Sequence, residues 1–344
     1  MPANERVAGY RNMKVALMHR EDPVPDWVIP RLSELDIEFV ERLCDTGEEV
    51  IALAADADIV WMMDGCELIN ADVLAQLSQC QAILRAGSGT DNVPVAEATA
   101  RGIVVGNTPE AVARTVAEHT IALLLAVSRT IAELRSRMQR GDWDFDWENR
   151  PVPFPLLENA TLGLIGFGHI SRSVVQKLSG FNMTILATRR RLADTEDMLS
   201  AGVTPADLDT VLQHSDYVSV HTPLLESTRH LIGERELRLM QPHAALINTS
   251  RGAVVNEAAL IHALQEGRIA GAGLDVLEKE PLDADNPLLH MDNVVFTPHM
   301  AYSHPTLQHD FWDHSVRAII EMCTGNPPLW QVNPEVMPRW LLNG

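Results

Sequence analysis

The chain predicts an α/β protein of two Rossmann-like domains, each a doubly wound parallel sheet, with an active-site cleft between them. Three features carry that expectation. Short apolar strand segments alternate with helical patterns through both halves. A loop rich in tryptophan and proline separates the halves. After that loop, the apolar run Thr161–Ile165 enters Gly166-Phe-Gly168 and passes directly into a helical pattern, the layout of a dinucleotide-binding turn.

In the first half, Lys14–Met18, Ile37–Val40, Asp58–Met63, Ala82–Arg85 and Ile103–Val105 read as strands, after a loose lead-in of about a dozen residues. Helical patterns such as Asp72–Leu77 and Val95–Arg101 fall between them. A long helix is expected from Glu110 to about Arg140, halted by Gly141. The loop with Trp143, Trp147, Pro151, Pro153 and Pro155 then reads as a boundary. The second half offers six strands: Leu162–Ile165, Met183–Thr188, Tyr217–Val220, Ala244–Ile247, Ile269–Leu274 and Val294–Phe296. Asn256 is a good N-cap for Glu257–Glu266, and Gly267 a good stop. A last helix, about Pro305–Thr324, follows a set that is already closed, so the chain is expected to return to the first domain.

At 344 residues the chain is too long for one ordinary core and suits two domains. Its net charge of −20 disfavours nucleic acid and anionic membranes as partners. Cys44, Cys66, Cys80 and Cys323 lack metal-ligand or CxxC spacing and read as reduced, mostly buried thiols, so no metal site is expected. The N-terminus has no apolar signal core, and runs such as Ile121–Val127 are too short to span a bilayer. The expected location is cytoplasmic.

Gly166 permits the tight turn, and Gly168 lets a pyrophosphate approach the backbone at a helix N-terminus. Ser171 stands where a third glycine commonly serves helix–strand packing, which predicts a slightly displaced helix and a retained site. The second strand of the unit ends in Arg189-Arg190-Arg191, where an NAD-binding unit places an acidic residue for the ribose 2′-OH. Arginines there suit a 2′-phosphate, so NADP(H) is the preferred cofactor, with NAD(H) possible. Three further strand ends carry Arg251, then Asp275 with Glu280, then His299. All emerge on the edge where open α/β sheets bind ligands. Hydride transfer to a carbonyl needs a proton donor, which His299 supplies, oriented by a carboxylate at Glu280. Arg251 suits a bidentate grip on a 2-oxo acid carboxylate. In the first domain, Arg85-Ala-Gly87-Ser88-Gly89 follows a strand and offers backbone N–H groups to a small anion. Trp61-Met-Met-Asp64-Gly65 ends another strand, with core and turn favoured over a pocket lining.

With these residues in view, the chain resembles the D-isomer-specific 2-hydroxyacid dehydrogenase family over roughly Asp58 to His304. The resemblance rests on an ordered set: Gly87-Ser-Gly-Thr-Asp91-Asn92, Asn107-Thr-Pro, Val116-Ala-Glu118, Gly166-Phe-Gly168, His221-Thr-Pro223-Leu with Thr228, Ile247-Asn-Thr-Ser-Arg251-Gly252, Gly273-Leu-Asp275-Val, Glu280-Pro281 and Thr297-Pro-His299. It implies Arg251, Glu280 and His299 as the catalytic set. It implies Gly166, Gly168, His169, Ile170, Thr188, Arg189, Arg190, His221, Thr222, Pro223, Thr228, Thr249, Ser250 and Asp275 around the cofactor, with Asp275 against the nicotinamide amide. Arg85, Gly87, Ser88, Gly89 and Arg251 would meet the substrate. The family's architecture implies a flavodoxin-like substrate-binding domain, 1–118 with 304–344, around an inserted NAD(P)-binding domain, 119–303. A homodimer is implied as well, through the long helix and the Trp143 loop.

Arg189 in place of an acidic residue resembles the NADP-preferring glyoxylate/hydroxypyruvate reductases. Formate dehydrogenases of the superfamily carry Gln where Glu280 stands. His299 is followed by Met-Ala-Tyr302, a departure that bears on substrate size. Two other readings stand beside the leading one. One keeps the mechanism but uses NAD(H) and a larger 2-oxo acid. The other is a dinucleotide-sensing binding protein similar to the C-terminal-binding corepressors.

Overall fold

A computed structural model describes residues 13–19, 23–63, 66–143, 154–192 and 195–342. The chain divides into two compact units, Met1–Val112 with His304–Gly344, and Ala113–Ser303. The lead-in, Asp64, Gly65, Trp147, Pro151 and Pro153 lie outside the described residues.

The first unit holds five parallel strands: β1 (Lys14–His19), β2 (Glu38–Leu43), β3 (Ile59–Met62), β4 (Ala82–Arg85) and β5 (Val104–Asn107). They lie in the order β2-β1-β3-β4-β5. Val15 to Met18 and Ile59 to Met62 are buried on both faces, which is why they read as continuous apolar runs. The helix Leu307–Cys323 buries Trp312, Val316 and Ile319 against Val15, Leu17, Trp61 and Leu84. Trp61 is sealed there, edge-on to Trp312 with ring centroids 5.1 Å apart, so it is part of the core.

The second unit holds β6 (Thr161–Ile165), β7 (Thr184–Thr188), β8 (Thr204–Pro205), β9 (Tyr217–Val220), β10 (Ala245–Asn248), β11 (Gly271–Leu274) and β12 (Val294–Phe296). All pair in parallel, in the order β12-β11-β10-β9-β6-β7-β8. The six expected strands are present, and β8 is an addition. It is two residues long and pairs only with β7, so the missing N–H of Pro205 is tolerated at the sheet edge. Asn256 caps its helix as expected, with Oδ1 accepting from the Ala259 amide at 2.9 Å.

The long helix is a correction. It runs Glu110–Ser128, and a separate helix runs Ile131–Gln139. Thr130 joins them in the left-handed region at φ 49°. The break falls where the apolar face ends. Leu123, Leu124 and Val127 pack against Leu162, Leu164 and Ile247, whereas Ile131–Gln139 buries nothing. Glu110–Ser128 is long and apolar enough to cross a membrane, but 56% of its most apolar window is buried within the protein, as befits a core helix.

Candidate active site

Because every strand of the second unit is parallel, all its carboxyl ends lie on one edge. Across that edge, from β12 to β7, stand His299, Asp275, Arg251, His221, Gly166 and Arg189. Five inter-strand steps separate the ends of the row, about 24 Å. The chain leaves β6 toward β7 and β8, then returns to β9 on the other side, so the topological switch point lies between β6 and β9. That is where open sheets bind nucleotides.

Gly166 fills the switch point. Its φ is +98°, and a Cβ there would come within 2.6 Å of the His221 carbonyl oxygen. A Cβ on Gly168 meets nothing within 4 Å, leaving open space at the start of the helix His169–Lys177. Gly168 has no side chain to cap that helix, so the Ile170 and Ser171 amides, which lack intrahelical acceptors, suit an anion. Ser171 is fully buried, and its hydroxyl donates to the Gly166 carbonyl at 2.7 Å. The hydroxyl thus ties the helix to the turn.

At the β7 end, Thr188 is buried and Arg190 is exposed. Arg189 donates to Asp197, and so does Arg172 from the helix after the glycine turn. Both guanidiniums also lie over the Phe167 ring, 5.8 and 5.4 Å from its centroid. Arg189 Nε is buried without a hydrogen-bond partner among the described residues. At the β9 end, His221 Nε2 meets Ser219 Oγ at 2.9 Å, and Nδ1 is sealed without a partner among the described residues. Burial pushes this imidazole down to about 4, so it is neutral at pH 7. Thr222 and Pro223 follow it, but the Thr228 hydroxyl closes their own loop, accepting from the Leu225 amide and donating to the Pro223 carbonyl, both at 2.7 Å.

The other end of the edge carries the titratable pair. His299 Nδ1 lies 2.8 Å from Glu280 Oε2, and Glu280 Oε1 accepts from the Leu277 amide at 2.9 Å. His299 itself sits in the left-handed region, φ 54°, with its amide on the Asp275 and Thr297 carbonyls. Asp275 anchors that turn. Its buried carboxylate accepts from Thr297 Oγ1 at 2.6 Å, the Met300 amide at 2.9 Å and the Ala301 amide at 3.0 Å. His119 Nε2 reaches Thr297 Oγ1 at 2.8 Å and stands 3.5 Å from Asp275. Both Asp275 oxygens are therefore engaged within the protein.

Arg251 leaves β10 through a turn built on Asn248. Asn248 Oδ1 accepts from the Ser250 amide and hydroxyl, and its Nδ2 donates to the Arg251 carbonyl at 3.0 Å. Thr249 is buried, its hydroxyl 2.9 Å from that of Thr120. Gly252 is required because a Cβ would overlap the Leu277 carbonyl carbon at 1.9 Å. That close approach sets the Arg251 loop beside the segment leading to Glu280.

In the first unit, Gly87 follows β4 at φ +103°. Thr108 holds it from two sides: Oγ1 accepts from the Gly87 amide at 2.6 Å, and the Thr108 amide donates to the Gly87 carbonyl at 3.0 Å. Asn107 Nδ2 donates to the Ser88 carbonyl at 2.7 Å. The Asn107-Thr-Pro motif thus pins the Gly87-Ser-Gly turn through the Gly87 amide and the Gly87 and Ser88 carbonyls. The Ser88 and Gly89 amides donate to no backbone acceptor among the described residues. Arg85 folds back on this turn, Nη1 donating to the Ala86 carbonyl.

Arg172, Asp197, His119, Thr120, Ser219 and Thr297 were not singled out from sequence. Thr297 stands inside a quoted motif and His119 directly follows one. Arg172 was visible only as a basic residue in the first turn of the nucleotide helix.

The family model described as D-isomer specific 2-hydroxyacid dehydrogenase, NAD binding domain, matches residues 121–301. The chain is similar to a glyoxylate reductase of Thermofilum pendens, 40% identical over 89% of this chain and 93% of the relative. It is also similar to glyoxylate/hydroxypyruvate reductase B of Escherichia coli, 36% identical over 91% of this chain and 96% of that one. Among solved structures it resembles the NADPH-dependent glyoxylate/hydroxypyruvate reductase of Sinorhizobium meliloti in complex with NADP and malonate. That likeness has a TM-score of 0.76 and 28% identity, covering 96% of this chain and 99% of that one.

Proposed function

The chain belongs to the D-isomer-specific 2-hydroxyacid dehydrogenase family, with a nicotinamide dinucleotide as cofactor, and on that footing we propose an NADP(H)-preferring reductase of small 2-oxo acids, glyoxylate or hydroxypyruvate foremost. The observation that carries this reading is the His299–Glu280 pair on the same sheet edge as the Gly166 switch-point turn. Three features fit the cofactor: the glycine that only a bare backbone can fill, the open space at Gly168, and an Arg189 Nε unpartnered among the described residues.

The nicotinamide, when bound, exchanges a hydride with the carbon of the oxo acid. The protein supplies the rest. Glu280 accepts from His299 Nδ1, which leaves Nε2 as the atom that gives a proton to the substrate oxygen on reduction and takes it back on oxidation. Arg251 holds the substrate carboxylate and polarises the neighbouring carbonyl. The Ser88 and Gly89 amides, with Arg85 and Gly87 shaping their turn, are assigned to the substrate's carboxylate. Gly168, His169 and Ile170 serve the pyrophosphate, and Thr188, Arg189 and Arg190 the 2′-phosphate end. His221, Thr222, Pro223 and Thr228, with Thr249 and Ser250, border the cofactor on the β9 and β10 sides. Asp275 contributes chiefly by holding the His299 turn.

A homodimer through the Ile131–Gln139 face belongs to the same reading, supported by exposed Ile131, Met138 and Trp143. A reducing, cytoplasmic setting is supported by the buried thiols. Burial pushes Cys80 and Cys323 up to about 12, and Cys44 is raised too, so none is reactive at pH 7.

The test follows reduced-nicotinamide absorbance with NADPH and with NADH against glyoxylate, hydroxypyruvate, pyruvate and phenylpyruvate. Turnover of the small acids with a strong NADPH preference is expected. Equal rates with NADH would overturn the cofactor assignment, and turnover of phenylpyruvate alone would overturn the substrate.

A further inference from the structure

The side chains beyond the β7 end form a closed ionic cluster. Asp197 lies in the first turn of the helix Glu196–Ser200. Its two oxygens take one guanidinium each: Oδ2 meets Arg172 Nη2, and Oδ1 meets Arg189 Nη2. Both cations rest on the Phe167 ring. Each gives Asp197 a single Nη rather than a bidentate fork, and Arg189 Nε has no partner among the described residues. Two arginines therefore converge on one small anion with donor capacity to spare.

We infer that Arg172 and Arg189 together form the 2′-phosphate site, and that the Asp197 carboxylate is a built-in occupant of that site which moderates the preference for NADPH over NADH. The inference rests on the cofactor reading above and adds two residues to it. The cluster carries one net positive charge, two guanidiniums against one carboxylate. A phosphate dianion entering it meets both attractive cations and a repulsive anion, whereas a ribose hydroxyl meets no net Coulomb term. Asp197 therefore weakens NADPH and leaves NADH nearly untouched. Burial alone would raise the Asp197 carboxyl, but the Arg189 hydrogen bond and the two guanidinium charges outweigh it and hold it below the usual range. It is therefore ionised at neutral pH, where the repulsion is present.

The test measures dissociation constants of NADPH and NADH by nucleotide fluorescence, and of 2′-AMP and 5′-AMP by calorimetry. The proteins are wild type, Asp197→Asn, Arg172→Gln and Arg189→Gln. Asp197→Asn is expected to tighten NADPH and 2′-AMP by about tenfold, the scale of removing one unit charge near a dianion in a solvent-screened site, and to change NADH by less than about twofold. Arg172→Gln is expected to weaken NADPH and 2′-AMP by about tenfold and to spare NADH and 5′-AMP. Unchanged or weaker NADPH binding in Asp197→Asn, or an Arg172→Gln variant that keeps wild-type preference, would overturn the inference. The two readings fail differently. A wild type without NADPH preference, unaffected by Arg189→Gln, sinks the cofactor assignment. A wild type that prefers NADPH through Arg189 alone sinks only the roles of Arg172 and Asp197.

Discussion

Asp275→Asn separates two roles for one carboxylate. As a nicotinamide contact, Asp275 should matter to cofactor affinity and little to folding. The structure gives it a folding role, since its buried oxygens accept from Thr297 Oγ1, Met300 N and Ala301 N. Asparagine keeps one acceptor oxygen and replaces the other with an NH2 donor. The best arrangement keeps the oxygen on Thr297 and Met300 and turns the NH2 toward the Ala301 amide, donor against donor. Ala301 is buried, so an unpaired amide there costs about 1–3 kcal/mol. Losing the charge from the other two hydrogen bonds adds about 1 kcal/mol, for a total of about 2–4 kcal/mol. For a unit of this size each kcal/mol moves the melting temperature by about 2–4 °C, so a fall of about 10 °C is expected by calorimetry of the ligand-free protein. His299 sits in the same turn, and a displacement of about 1 Å lowers kcat by about a hundredfold. Unfolding within 1 °C of wild type, together with a collapse of NADPH affinity, would refute the latch and restore the direct contact.

Other outcomes follow from the same geometry. Gly166→Ala puts a Cβ 2.6 Å from the His221 carbonyl at φ +98°, so a loss of at least about 2–4 kcal/mol and of dinucleotide binding is expected in melts and NADPH titrations. A wild-type melt would show that the turn can relax. His299→Gln is expected to lower kcat by about 10²–10⁴-fold with NADPH affinity within about twofold, and Glu280→Gln by a smaller factor in the same direction. An active His299→Gln enzyme sinks the acid/base role. His221 has a folded-state value of about 4, below its unfolded value of about 6.5. The unfolded chain therefore takes up the proton first. The contribution of His221 is fully present above pH 6.5 and is lost as pH falls toward 4, by about 3 kcal/mol at most. Melts of wild type and His221→Asn between pH 7 and 4.5 should converge as pH falls; parallel curves would show that His221 is not the group responsible.

Strand positions were readable where a buried parallel strand has a short, continuous apolar run, as in β1, β3 and β9, whereas the exposed edge strand β2, Glu-Phe-Val-Glu-Arg-Leu, has none and runs on to Leu43, past the expected end at Val40. β8 has no such run: Thr204–Pro205 forms a strand only because β7 offers it a free edge. The break at Thr130 was hidden for a related reason. Residues 131–139 remain good helix formers, and only the loss of anything to pack against marks where the first helix stops. The placement of Arg251, Glu280 and His299 was readable because each follows the end of a legible strand. Their supports were not. His119 meets Thr297 across 178 positions, and Gly252 is needed because of a carbonyl 25 residues further along. Such pairings exist only once the sheet has closed. The Arg189–Asp197 pair is closer in sequence, eight positions apart, yet depends on a helix start that no strand pattern foretells.

The two carboxylates after β11 show why position alone cannot assign a role. Asp275 and Glu280 are five residues apart, and both face the turn that carries His299. Asp275 is buried and accepts from two amides and a hydroxyl, which leaves it little capacity to respond to a substrate. Glu280 is exposed, with one oxygen on a backbone amide and the other on the imidazole. A carboxylate saturated by amides fixes backbone, whereas one held by a single amide keeps an oxygen to direct a ring and balance its charge. On the proposed reading the partner count divides the labour: Asp275 holds the turn that carries His299, and Glu280 orients the imidazole on it. The proposed proton transfer at Nε2 would need both, because a correctly oriented imidazole on a displaced turn is as ineffective as a well-placed one in the wrong tautomer.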